Sequence, residues 1–143
     1  GPLCLRIITE KTDFCQESAL NFNHLGKMNV SVKFLGGTGT VTGSRFLLNI
    51  GDFRVLFDCG LFQGRREETE RRNCDLGFDP REVDAVLLSH AHIDHCGRLP
   101  VLVRRGYRGP IHVTRATAAR GAKRSSRPSA MSASAASARL VEA

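Results

Sequence analysis

Val83-Asp84-Ala85-Val86-Leu87-Leu88-Ser89-His90-Ala91-His92-Ile93-Asp94-His95 is the stretch that decides the reading of this chain. Val83 to Ser89 is apolar enough for a buried strand, and four potential metal ligands follow within six residues. Neutral imidazoles and a carboxylate are what Zn²⁺ and similar borderline ions bind. Residues two apart in extended backbone face the same way, so His90 and His92 can share one ion. Asp94 and His95, in the turn beyond, can reach a second ion close by. Two ions at that spacing can act together on a scissile bond.

Catalytic zinc normally takes three protein ligands and keeps one position open. Four ligands divided over two ions are too few, so the remainder must come from elsewhere. Beyond His95 the chain offers His112, Glu142 and no aspartate; upstream, His24 is the only other histidine. His112 lies among apolar neighbours and is read as a packing residue. Cys96 is read as filling a small-residue position, with metal ligation as its alternative. The sequence thus carries half of a two-metal site.

Working outward, Val30, Val32 and Phe34 alternate with polar residues, as in a half-buried strand. Gly36-Gly37-Thr38-Gly39 breaks it, and no Gly-Lys-Ser/Thr follows, so this is not a nucleotide P-loop. Ser44 to Ile50 and Arg54 to Asp58 complete three successive strands with short loops, an antiparallel start to a sheet. Asp58 ends the third beside Cys59-Gly60. It can orient a metal-bound histidine, or else serve only to form the turn. Glu67 to Arg72 suits a short charged helix, and Asp79-Pro80 opens a further segment. Pro100 to Arg105 suits a helix closed by Gly106, and Ile111 to Thr114 a last strand.

Ser89-His90-Ala91-His92-Ile93-Asp94-His95-Cys96-Gly97-Arg98-Leu99-Pro100 resembles the β-CASP group of RNA-processing nucleases within the metallo-β-lactamase superfamily. Val32 to Ser44 is similar to that group's first hairpin, and Phe57 to Gly64 to its first motif. Phe78-Asp79-Pro80, Val103 to Ile111 and Ala116-Thr117-Ala118 fit the same pattern. The resemblance covers about residues 28–118. It implies an α/β fold, the first half of a metallo-β-lactamase αβ/βα sandwich, and hydrolysis of RNA phosphodiester bonds. By the same resemblance His90 and His92 bind a first zinc, while Asp94 and His95 serve a second. Asp58 and Asp94 are then the catalytic carboxylates, Asp58 acting from behind by steadying the metal loop. Later histidines, a bridging aspartate and a cap domain belong to the complete family pattern and are not found in these 143 residues. The expectation is therefore an incomplete ligand set and a chain that is weakly active or inactive by itself. Two other readings remain open: a metallo-hydrolase of small esters, thioesters or lactams, and a non-catalytic remnant that binds RNA or a partner. Gly97-Arg98-Leu99-Pro100 speaks against the first, whose members more often have Gly-Gly after the histidine motif.

The net charge of +7 suggests nucleic acid as a partner. Residues 116–143 carry +4 of it, which leaves +3 for the other 115 residues. Arg65-Arg66, Arg71-Arg72 and Arg104-Arg105 could approach phosphates. The first two pairs are interleaved with Glu67, Glu68 and Glu70, which favours a solvated helix face. Five cysteines at irregular spacing suit a reduced, cytoplasmic setting, and no apolar run approaches the length of a membrane span.

Residues 1–27 show no clear period and are expected to be an extension or leader, with Gly1-Pro2 a possible protease scar. Residues 119–143 form an Ala/Ser/Arg-rich tail, since sixteen of the 28 residues from 116 onward are Ala or Ser. Such a tail buries too little to order itself. It is expected to be disordered or a weak alanine-driven helix, and a frameshift after Ala118 would account for its composition. Half a sandwich also leaves an apolar sheet face, so self-association is expected.

Overall fold

The computed structural model describes the backbone of residues 6–12, 15–22, 29–125 and 140–142, and side chains from 29 to 120. Eight strands form one sheet in strictly sequential order. They are β1 (Arg6–Thr12), β2 (Cys15–Phe22), β3 (Val30–Gly36), β4 (Arg45–Ile50), β5 (Phe53–Phe57), β6 (Ala85–Leu87), β7 (Ile111–Val113) and β8 (Leu140–Glu142). Pairing is antiparallel from β1 to β5 and parallel from β5 to β8. Parallel neighbours need crossovers, and these carry the helices. α1 (Arg66–Cys74) and a 3₁₀ turn (Pro80–Glu82) lie between β5 and β6; α2 (Ile93–Cys96) and α3 (Leu99–Arg104) lie between β6 and β7; α4 (Arg115–Ser125) follows β7.

The antiparallel start appears at β3, β4 and β5. Val30, Val32 and Phe34 stand opposite Ile50, Leu48 and Phe46, which stand opposite Phe53, Val55 and Phe57. Side chains alternate along a strand, so these nine apolar residues share one face. On the other face Leu47, Leu56, Val86, Ile111 and Val113 join Leu102 and Val103 of α3 and Leu76 in one buried cluster. The two faces differ in cover: Leu56 is fully buried, whereas Phe53 and Phe57 are 50% and 39% exposed.

α1 buries no residue. It is held by Arg66–Glu70 and Glu68–Arg72 pairs one turn apart, as the interleaved charges suggest. Asp79 caps the 3₁₀ turn by accepting from the Arg81 amide. β6 is shorter than the run from Val83 to Ser89, because the chain leaves the sheet after Leu88, whose amide still donates to the His112 carbonyl, to enter the histidine loop.

Residues 6–12 and 15–22, within the stretch read as an extension or leader with no clear period, are strands hydrogen-bonded into the same sheet, β2 directly on β3. Their signal lies in partner pairing more than in internal alternation. α4 likewise runs through Ala118, where Ala and Arg favour helix, and β8 holds Leu140 and Val141, two of the tail's few large aliphatic residues. His24 and the stretch 126–139 lie outside the described residues.

Candidate metal centre

The histidine loop leaves the C-terminal end of β6, beside the equivalent end of β5. Asp58, the first residue after β5, is the only described non-glycine residue with positive φ, at 57°. Asp tolerates that left-handed conformation better than most residues. The turn brings its carboxylate to the base of the loop, where it is 6% exposed. One oxygen accepts from the Ser89 amide at 2.8 Å and from Ser89 Oγ at 2.9 Å. The other accepts from Ser44 Oγ at 3.1 Å and lies 2.7 Å from His95 Nδ1.

His95 therefore has its Nδ1 committed to Asp58, and its Nε2 lies 3.4 Å from Asp94 Oδ2. His90 Nε2 lies 3.1 Å from His92 Nδ1, and the His90 and His95 rings are 4.0 Å apart between centroids. The structure thus brings His90, His92, Asp94, His95 and Asp58 together. His112 stays apart on β7, half-buried, its carbonyl accepting from Leu88. Cys96 is buried within α2. Burial pushes the thiol of Cys59 up to about 12, which keeps it from being a thiolate ligand near neutrality.

The loop is fixed by backbone contacts. The Ser44 amide donates to the Asp94 carbonyl, the Cys59 amide to His95 and the Leu61 amide to Ile93. Gly60 sits so close that a Cβ there would lie 1.6 Å from the Asp94 carbonyl oxygen. Only glycine fits. Ser89 and Ser44, which complete the grip on Asp58, are residues the sequence offered without singling out; their place as neighbours of the motif and of the glycine turn is the signal that could have found them.

In kind, three imidazoles and a carboxylate suit a borderline divalent ion. In number they fall short: among the described residues, no three His, Cys, Asp or Glu side chains are disposed as one metal shell. The imidazole nitrogens instead face one another, Ser89, Asp58 and Asp94.

The family model of the metallo-beta-lactamase superfamily matches residues 38–133, more than half of the chain. The chain belongs to that superfamily, whose fold is metal-dependent, and its sheet and helices correspond to part of that fold. It is 61% identical over 82 residues to a ribonuclease of Thermus thermophilus, an alignment covering 57% of this chain and 19% of that protein. It is 43% identical over 93 residues to the transcription termination factor FttA of Cenarchaeum symbiosum, covering 64% of this chain and 14% of the factor. Over 99 residues it is 34% identical to the Integrator complex subunit 11 homolog of Dictyostelium discoideum, covering 64% and 13%. The chain thus spans less than a fifth of the length of each of these relatives.

Proposed function

We propose that this chain carries the first metal-ligand loop of a metal-dependent RNA phosphodiesterase. The observation that carries the reading is the cluster His90, His92, Asp94 and His95 at the end of β6, with Asp58 bonded to His95. It sits within residues 38–133, matched by the superfamily model, in a chain that is 61% identical over 82 residues to a protein named as a ribonuclease. His90 and His92 would hold one zinc ion, and Asp94 and His95 would contribute to a second. Bound there, zinc supplies a Lewis acid for a phosphodiester and makes water more acidic.

The residues of the chain do the positioning. Asp58, accepting from Ser44 and Ser89, fixes the His95 ring through Nδ1 and leaves Nε2 toward Asp94. A carboxylate behind a histidine in this way sets its tautomer and ring orientation. Because four donors are too few for two catalytic ions, the chain by itself is weakly active or inactive. RNA is the substrate class. The sheet face of Phe53 and Phe57 is a surface for self-association.

The test is zinc titration of the whole chain against a chromophoric chelator, alongside cleavage of a single-stranded oligoribonucleotide. Zinc binding that depends on His90 is expected, with faint cleavage or none. Undiminished binding of two ions by His90→Ala would overturn the ligand assignment. Turnover of a thioester or lactam in preference to RNA would overturn the substrate class.

A further inference from the structure

Arg98 stands where the histidine loop ends and α3 begins, directly before Leu99. Its place disfavours an arginine in three ways. A helix start is stabilised by Ser, Thr, Asp or Asn at the capping position, and the Arg98 side chain makes no capping bond. The residue is 1% exposed, and its Nη2 has no hydrogen-bond partner among the described residues. Burial and the neighbouring Arg45 lower its pKa to about 10, which still leaves it charged at neutral pH. A buried charge with a donor left over and a like charge beside it costs stability. Residues that break several local rules at once are expected where function constrains the chain.

What Arg98 touches lies on both sides of the loop exit. Its amide donates to the Cys59 carbonyl at 2.8 Å, and the Cys59 amide donates to the His95 carbonyl at 2.8 Å. The backbone of Cys59 is thus gripped between His95 and Arg98, and the residue before it is Asp58, whose carboxylate holds the His95 ring. The guanidinium reaches the other way. Its Nη1 donates at 2.7 Å to the carbonyl of Asp75, the residue that caps the end of α1. That carbonyl also accepts from Arg45 at 3.3 Å, so it keeps a donor if Arg98 is replaced. The strongest charges acting on the Arg98 guanidinium are those of Arg45, Cys59, Arg105 and Asp75, none of them in the histidine cluster. Its hold on the cluster is therefore a matter of position and not of charge.

We propose that Arg98 is a positioning residue for the metal-ligand loop: by staking the loop exit to the Asp75 carbonyl, it keeps the Cys59 backbone in place and with it the Asp58–His95 pair. Its effect on zinc rests on the proposed function, whereas its effect on the His95 ring does not. An arginine that serves geometry at a cost in stability can be told from one that merely holds the fold, because replacing it moves the two properties apart.

The test compares Arg98→Met with the parent in the full chain. Methionine is apolar and removes the buried charge, so the unfolding midpoint in urea should be unchanged or raised. The imidazole nitrogen shifts of His95, which report its bond to Asp58, should move toward those of a free imidazole when no zinc is present. Zinc affinity should fall about tenfold, the lower end for loss of an outer contact. Arg98→Lys keeps a donor for the Asp75 carbonyl and should restore the His95 shifts. Arg105 is the control: it too holds the end of α1, donating to the Cys74 carbonyl at 2.7 Å, but it stands outside the histidine loop. Arg105→Ala should leave the His95 shifts as they are. Unchanged His95 shifts in Arg98→Met, a lowered unfolding midpoint, a lysine variant that restores nothing, or an equal change in Arg105→Ala would overturn the proposal. A parent that binds no zinc while its His95 shifts still answer to Arg98 would leave the positioning role standing and sink the metal reading.

Discussion

Asp58 and His95, 37 residues apart, meet at 2.7 Å between Oδ2 and Nδ1. The contact joins the end of β5 to the loop after β6, so the ring that faces Asp94 is set by a strand of the sheet. Asp58→Asn tests this. Asparagine keeps the size and tolerates φ of 57°, but it brings a neutral amide in place of the carboxylate. Zinc affinity should fall by about tenfold to a hundredfold with the fold intact by circular dichroism. Unchanged affinity would mean that His95 is oriented by other contacts.

Gly60 permits the close approach of two loops. Gly60→Ala places a methyl group where the Asp94 carbonyl stands. The loops must separate, and a loss of about 3 kcal/mol in urea denaturation is expected, together with weaker zinc binding. A variant as stable as the parent would show that the approach is looser than described.

Leu56 is fully buried at the centre of the sheet. Leu56→Ala should cost about 2–5 kcal/mol, the range for large-to-small changes in a core. The more exposed Phe53→Ala should cost far less. Equal losses would contradict the assignment of faces.

Tyr107 is the only tyrosine and the chain has no tryptophan, so phenolate absorbance reports one group. Burial pushes its pKa up to about 12 from the usual 10. The unfolded chain then releases this proton before the folded one does. Its contribution to stability is full below about pH 10 and is lost as pH rises through 12. Tyr107→Phe should flatten that decline. A folded-state phenolate appearing near pH 10 would refute it.

Phe53 and Phe57 stand on the less covered face. Phe53→Ser with Phe57→Ser should lower the sedimentation coefficient of any associated species toward that of a monomer. Association unchanged by the pair would place the contact elsewhere.

The strands from β3 to β7 were legible because their patterns are local. Val30, Val32 and Phe34 alternate, Ala85 to Leu88 is continuously apolar, and Asn49 to Asp52 turns the chain. The charged helix of Arg66–Cys74 could be read from its paired charges in the same way. β1 and β2 were not, since Cys15–Phe22 becomes a strand through its pairing with β3, and Arg6–Thr12 through its pairing with β2. Within the candidate site, the spacing of His90, His92, Asp94 and His95 was visible, and the meeting of Asp58 with the loop was anticipated by resemblance. The clamp of Ser44 and Ser89 on Asp58 was hidden, because single serines 45 positions apart carry no periodic signal. The burial of Arg45 was hidden too: an arginine inside a strand reads as an exposed residue, although alternation along β4 sets it on the packed face with Leu47.

The strict sequential order of the eight strands bears on how the chain acquires its shape. Every strand pairs with the one just before it along the chain. Closing a short loop costs less entropy than closing a long one, and β3, β4 and β5 are joined by short connections, so that meander can form early. The slower closures are the crossovers from β5 to β6 and from β6 to β7. Only when the first of these is made does Asp58 find His95. The histidine cluster is therefore among the last features to assemble, on a hairpin platform already in place, and as synthesis proceeds each new strand meets a waiting neighbour.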